Sequence, residues 1–132
     1  MRVLVDTSAW SLALRRDQSP EQREVRVLAE LVERGENLVL IGAILQEVLQ
    51  GFVGGTRFRR LVEILEAFPL LDLGREDFIY AAELRNSCRA KGVQVTTVDA
   101  QIAAAAIRHE CGLLSADDGF RHVARLFPLV MV

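Results

Sequence analysis

The chain has 132 residues, 51% of them hydrophobic and 26% charged, with a net charge of −2. That length suits one domain of the usual ~100–150 residues, and the composition excludes a disordered chain. The longest apolar runs (Ile102 to Ile107, Leu126 to Val132) fall well short of the ~20 residues a membrane span needs. An acid at position 6 interrupts the first apolar stretch where a signal peptide would need it continuous, so the sequence predicts a cytoplasmic protein. Cys88 and Cys111 are too few for a disulfide framework and suit a reducing compartment. No global basic field marks a simple electrostatic nucleic-acid binder. That exclusion does not reach an enzyme handling nucleic acid through metal ions.

Short apolar runs alternate with helical patterns, which predicts an α/β fold around a parallel sheet. Val3-Leu4-Val5 reads as a first strand buried on both faces. Helical spacing follows at Trp10, Leu12 and Leu14, and a polar break ends at Pro20. Glu21 to Arg34 reads as a helix with Val25, Leu28, Leu31 and Val32 inward and Gly35 as its stop. Leu38 to Ile41 reads as a second strand, which Gly42 turns into a helix carrying Leu45, Val48, Leu49 and Phe52. Gly54-Gly55 breaks that helix. The next runs from Arg57 to about Ala67, with Leu61, Ile64, Leu65 and Phe68 inward and Pro69 as its stop. A strand at Leu70 to Leu73 precedes a long helix from Arg75 to Lys91. Another helix begins near Thr97 or Val98 and runs through the alanines to His109. Leu113-Leu114 reads as a strand, Asp118 to Leu126 as a short helix, and Leu129 to Met131 as a last strand.

The informative residues are carboxylates at the ends of these elements. Asp6 ends the first strand, and Asp117 lies just past the strand at Leu113-Leu114. Glu47 sits one turn into the helix leaving the second strand, and Asp99 stands in the first turn of the alanine-rich helix. In an open parallel sheet, ligands bind in the crevice at the carboxyl ends of the strands. Four acids separated by 41, 52 and 18 residues could therefore converge there. Two like charges about 6 Å apart repel by roughly 1–3 kcal/mol at an effective dielectric near 20, so convergence calls for a cation. Oxygen ligands suit Mg²⁺ or Mn²⁺, and no C-x₂₋₄-C or histidine pairing competes for zinc.

Each acid also has a plain structural reading. Asp6 could cap the following helix, as could Thr7 or Ser8; Asp99 could be a stabilising first-turn acid; Asp117 could cap the last helix. Glu47 could be an exposed helix residue, although Gly51 one turn on leaves open space beside it. The arginines at 57, 59 and 60 read as a solvated helix face, as do Arg15 and Arg16.

At this point the residues resemble a family. Asp6-Thr7-Ser8-Ala9-Trp10 resembles the D-T-S-x-[WFL] opening of PIN domains, and Gln46-Glu47-Val48-Leu49-Gln50-Gly51 their E-[VL]-[LY]-x-G helix. Val98-Asp99-Ala100-Gln101-Ile102-Ala103-Ala104-Ala105-Ala106 resembles their D-x-x-I-A-A-x-A segment. Leu113-Leu114-Ser115-Ala116-Asp117, with Phe120 after it, resembles the closing L-[LV]-[TS]-x-D-x-D-F. All four stand in family order across nearly the whole chain. One departure is that the second acid of the closing motif is Gly119 here, with Asp118 acidic one place early.

The resemblance is nearest to the VapC-type toxins of toxin–antitoxin pairs. It implies a single PIN-like domain over residues 1–132: a three-layer sandwich with a mostly parallel sheet of about five strands between helices. It implies a Mg²⁺-dependent endoribonuclease, Mn²⁺ being the alternative ion. Asp6, Glu47, Asp99 and Asp117 would be the catalytic and metal-holding residues, with Asp6 and Asp99 foremost, and Ser8, Ser115 and Asp118 would support them. The products would carry 5′-phosphate and 3′-hydroxyl ends. The implied partners are RNA and a VapB-type antitoxin, whose binding segment could offer an arginine to the carboxylates. A homodimer is expected, because the apolar side chains around Trp10, Phe52, Phe58 and Phe68 exceed the obvious needs of one small core. Two other readings share parts of this pattern: an RNA maturation or decay nuclease with the same chemistry, and a non-catalytic PIN-like module that only binds protein or RNA.

Overall fold

A computed structural model describes residues 1–15 and 22–132. Arg16, Glu21 and the polar break ending at Pro20 lie outside the described residues. The elements run β1 (Arg2–Val5), α1 (Thr7–Leu14), α2 (Arg23–Glu33), β2 (Leu38–Val39), α3 (Gly42–Gln50), α4 (Gly55–Leu65), α5 (Arg75–Ala90), α6 (Thr97–Arg108), β3 (Cys111–Leu114) and α7 (Gly119–Leu126).

The sheet is parallel, in the order β2-β1-β3, with Val3 opposite Leu38 and Gly112, and Val5 opposite Leu114. The sequence predicts about five strands; among the described residues three form. The other two runs each touch the sheet through one parallel bridge, Leu40 with Leu70 on one edge and Leu113 with Met131 on the other. Pro69 has no N–H to extend the first edge, and Leu70 and Val130 are half-exposed, so neither run has a second covered face to hold it flat. At the centre, Val3, Leu4, Val5, Leu113 and Leu114 are buried, as expected of strands covered on both sides.

Chain order determines where the crevice falls. The path from β1 through α1 and α2 to β2, and on through α3 and α4 to Leu70, moves outward in one direction. The path through α5 and α6 then returns to the opposite side of β1, at β3. Crossovers between parallel strands are right-handed, so reversing direction moves the helices to the other face. The reversal lies between β1 and β3, and their carboxyl ends open there. The run of alanines from Ala103 to Ala106 is fully buried, and these small side chains let α6 lie close on β3. Gly112 allows a separate close approach, by Val132: a Cβ there would meet Val132 Cγ2 at 2.6 Å.

Two expected core positions face solvent. Val32 is 53% exposed and Ile64 is 44% exposed. The buried stripe of α2 runs through Leu28 and Leu31, and that of α4 through Leu61 and Leu65. Val32 and Ile64 each stand one residue step, about 100°, away from Leu31 and Leu65 respectively. Trp10 and Phe68 are part of the core, their rings 5.2 Å apart, so they are not surplus apolar surface; Phe58 does remain exposed. Arg57 lies over the Phe52 ring at 4.8 Å, while Arg59 and Arg60 are solvated as expected.

Asp77 is a buried acid that no sequence motif marks. Its Oδ2 accepts the Gly74 N–H at 2.8 Å, closing the start of α5. Its Oδ1 accepts from Arg108 Nε and meets His109 Nε2, both at 3.0 Å at the end of α6. Burial acts to raise this carboxyl, but the Gly74 N–H, Arg108 and His109 outweigh it and hold it below its ordinary value. A depressed carboxyl contributes stability above its unfolded pKa and loses it as pH falls through the folded value. Asp77→Ala leaves three donors without their acceptor and should cost about 2 kcal/mol at neutral pH, read by urea or thermal melts. The difference from wild type should shrink below about pH 4. A melting temperature unchanged at pH 7 would show that this cluster does not join α5 to α6.

Candidate active site

Asp6 follows β1 and leads into α1 at the helix-capping position, yet its side chain caps nothing. Its Oδ2 instead accepts two hydroxyls, Ser8 Oγ and Ser115 Oγ, each at 2.8 Å. The two serine oxygens are 3.2 Å apart, but each has one proton and both protons are directed at Asp6. Each oxygen in turn accepts a backbone N–H: Ser8 from Ala116 at 2.9 Å, Ser115 from Asp117 at 3.0 Å. The ends of β1 and β3 are thereby tied through one carboxylate oxygen. The other Asp6 oxygen, Oδ1, takes no hydrogen bond among the described residues.

Asp117 follows β3 and is exposed; its Oδ1 accepts the Gly119 N–H at 2.8 Å. The capping reading is therefore part of its role, and its Oδ2 stays open. The departure at 119 has a steric counterpart here, since a Cβ on Gly119 would stand 3.1 Å from Asp117 Oδ1. A side chain in that place would press on the carboxylate. Asp118 does not take over for the missing acid: its side chain is 87% exposed and reaches only toward Arg121, at 3.8 Å.

Glu47 is exposed on α3, and Thr7 Oγ1 donates to its Oε1 at 3.0 Å. Thr7 is thus a third acid-orienting hydroxyl, after Ser8 and Ser115. Its only sequence signal was its place in the D-T-S opening, where it read as a possible helix cap. Asp99 is half-buried in the first turn of α6, its N–H bonded to the Thr96 hydroxyl that caps the helix. Burial, then the charges of Asp6 and Asp117 and more weakly Glu47, push the Asp99 carboxyl up to about 6 against an opposing Thr96 hydrogen bond. All four acids therefore share one electrostatic neighbourhood, with Glu47 acting least on Asp99. The charges that act on Asp99 are all negative.

The donor set fits a hard divalent cation: carboxylate oxygens, uncompensated charge and hydroxyls that orient the acids rather than compete for the ion. Among the described residues, no three acidic, histidine or cysteine side chains already form a closed chelate. The four acids are related through the field that Asp6, Asp117 and Glu47 exert on Asp99. Cys88 and Cys111 are buried free thiols, and burial pushes both up, away from thiolate chemistry.

A parallel-sheet crevice edged by four acids, with serines fastening the first of them, is the arrangement of the PIN domain family. Residues 3–126 match that family, and the chain belongs to it. It is similar to ribonuclease VapC11 of Mycobacterium tuberculosis and to VapC ribonuclease Mb1587 of Mycobacterium bovis. Each is 32% identical over 129 residues, covering 96% of this chain and 95% of the relative. Among solved structures it is similar to VapBC-1 from nontypeable Haemophilus influenzae, with a TM-score of 0.77 and 17% identity over 100% of this chain and 97% of that one. It is also similar to FitAcB from Neisseria gonorrhoeae, with a TM-score of 0.73 and 21% identity over 98% of this chain and 95% of that one. At these identities the structural likeness is one of fold.

Proposed function

We propose that this protein is a divalent-metal-dependent endoribonuclease, the toxin of a toxin–antitoxin pair, with Asp6, Glu47, Asp99 and Asp117 as its metal-holding acids. The observation that carries the reading is the tie at the carboxyl ends of β1 and β3, where Ser8 and Ser115 hold Asp6 through one oxygen and leave the other unbonded among the described residues; the raised Asp99 carboxyl, lifted by burial and by the other three acids, supports it. The relatives named as VapC ribonucleases support the activity, and the VapBC and FitAB complexes support an antitoxin partner. Mg²⁺ is the proposed ion, with Mn²⁺ able to replace it.

When bound, such an ion supplies Lewis-acid polarisation of the scissile phosphate and a more acidic attacking water. The chain's own groups prepare for it. Ser8 and Ser115 fix Asp6 with one oxygen turned toward the crevice, and Thr7 aims Glu47. Burial and the neighbouring acids push the Asp99 carboxyl up to about 6, so below neutral pH a proton would compete with a cation for it. No protein nucleophile is required, and Ser8 and Ser115 are already committed to Asp6. Ser115 and Ser8 are positioning residues in this scheme, and Asp118 has no part in it. The protein is further proposed to be cytoplasmic and homodimeric; among the described residues no helix is long and apolar enough to cross a membrane.

Purified protein should cleave single-stranded or looped RNA with Mg²⁺ or Mn²⁺, leaving 5′-phosphate and 3′-hydroxyl ends, and should stop in EDTA. Undiminished cleavage in EDTA would refute the metal-dependent reading. Should a small DNA-binding protein be encoded beside it, co-expression of the two should yield a complex of lower activity.

A further inference from the structure

The acid-edged crevice repels the polyanion it is proposed to cut, so something beside it must hold the strand. The chain's overall charge of −2 supplies no general attraction. Next to Asp99, however, the end of α5 and the loop into α6 enclose an open groove of about 490 Å³, lined by Arg85, Arg89, Gln94, Val95 and Thr96. Thr96 belongs to both features. It lines the groove, and its hydroxyl receives the Asp99 N–H.

Both arginines are held in place without being neutralised. Arg85 donates its Nε to the Val95 carbonyl at 2.8 Å, which fixes the guanidinium against the groove wall and leaves its two terminal nitrogens for another acceptor. Arg89 donates one hydrogen bond from Nη2 to Asn86 Oδ1, a neutral partner one turn back. Neither pairs with a carboxylate among the described residues, whereas Arg34, Arg108 and Arg121 all do. Two guanidiniums with no carboxylate partner among the described residues line one concave wall, a chemistry suited to phosphate, and Gln94 and Thr96 add neutral polar groups to it.

The geometry points to this groove as the lane that seats the phosphodiester backbone of single-stranded RNA next to the scissile bond, with Arg85 and Arg89 as its phosphate-binding residues. The inference rests on the ribonuclease reading for the identity of the strand. It adds a substrate-binding surface and direction: the RNA leaves the acids past Thr96 toward the end of α5. Fixed arginines on one flank offset the repulsion from the acids, and the bound cation need not do so alone.

The test separates binding from cleavage. Anisotropy of a fluorescein-labelled single-stranded RNA in EDTA, over a series of NaCl concentrations, reads the lane without hydrolysis. Arg85→Gln combined with Arg89→Gln should weaken binding about tenfold and flatten the log–log salt slope by about 1.4, since each lost phosphate contact removes ~0.7. Because Arg85 also braces Val95, Arg89→Gln alone is the second variant; it should flatten the slope by about 0.7. Arg34→Gln, remote and paired with Glu30, should change neither. In steady-state cleavage with Mn²⁺, Arg89→Gln should raise KM for RNA severalfold with a smaller change in kcat. Arginine variants with wild-type affinity and salt slope overturn the lane, as does a wild type that fails to bind RNA; a groove serving a protein partner would give the first result. If the arginines govern binding yet wild type cleaves no RNA with either metal, the lane stands and the nuclease reading fails.

Discussion

Asp6→Asn should lower RNA cleavage at saturating Mg²⁺ or Mn²⁺ about a thousandfold or more, equivalent to roughly 4 kcal/mol of lost transition-state stabilisation. The substitution is nearly isosteric, and the new amide oxygen can accept both serine hydroxyls that Oδ2 accepts now. Folding should therefore persist, and the loss should reflect the missing negative oxygen at the crevice. Ser115→Ala makes the contrast. It removes one donor to Asp6 and the acceptor of the Asp117 N–H, and should cost about 10–100-fold, the usual scale for a group that orients a ligand. Metal-titrated cleavage rates on both variants, with circular dichroism to confirm folding, measure the difference. Near-wild-type activity in Asp6→Asn would remove Asp6 from the metal-holding set.

Without divalent metal, Asp99→Asn should be more stable than wild type at neutral pH. The wild-type carboxyl is pushed up to about 6 in the folded protein, from an ordinary value of 3.8, by burial first and then by the neighbouring acids. A group raised on folding contributes stability fully below its unfolded pKa and loses it as pH rises through the folded one. The wild-type protein thus becomes relatively weaker between about pH 4 and pH 6, whereas the substituted amide does not titrate. The difference above pH 7 should be about 1–3 kcal/mol, since a tenfold change in proton affinity is worth about 1.4 kcal/mol and solvent screening of this half-buried group reduces the total. For a chain of this size that is a rise of roughly 4–10 °C in melting temperature. At pH 4 the two proteins should melt together. Added Mg²⁺ should reverse the order, because ion binding stabilises wild type by mass action and the variant forfeits much of it. Thermal melts at pH 4 and pH 7.5, in EDTA and in Mg²⁺, read all four cases. If Asp99→Asn melts no higher than wild type in EDTA at pH 7.5, Asp99 is a first-turn helix acid and not part of a charged cluster.

Much of this protein was legible in its sequence because local chemistry points one way at most positions. Apolar triplets such as Val3-Leu4-Val5 make strands covered on both sides, and their order with the helical runs dictates a parallel sheet. Glycine and proline at 35, 42 and 69 mark boundaries within a few residues of those observed. The four acids stand out because Asp6, Asp99 and Asp117 lie at the ends of elements and Glu47 lies one turn into the helix that follows the second strand. Sheet width was overread, because an apolar run names a strand only where partners exist to complete its ladder. Leu70 and Met131 each find one bridge and no more.

What the sequence could not decide were the choices made between distant groups. Each acid had a capping or surface reading beside the catalytic one, and the partners it takes are set only when β1 meets β3. Asp6 Oδ2 accepts the hydroxyl of Ser115, 109 positions away, together with that of Ser8, instead of capping a backbone N–H of its own helix. Asp117 accepts the Gly119 N–H while its charge acts on Asp99, Asp118 turns to solvent, and Thr7 finds Glu47 across 40 positions. Asp77 is hidden for the same reason, since Arg108 and His109 reach it only when α5 and α6 lie side by side. The positions of the acids follow from sequence because they depend on hydrophobic periodicity and chain order, which are local. Their partners and their shared field follow from tertiary structure, because hydrogen bonds act over about 3 Å and charges over about 10 Å, and only folding brings those distances about.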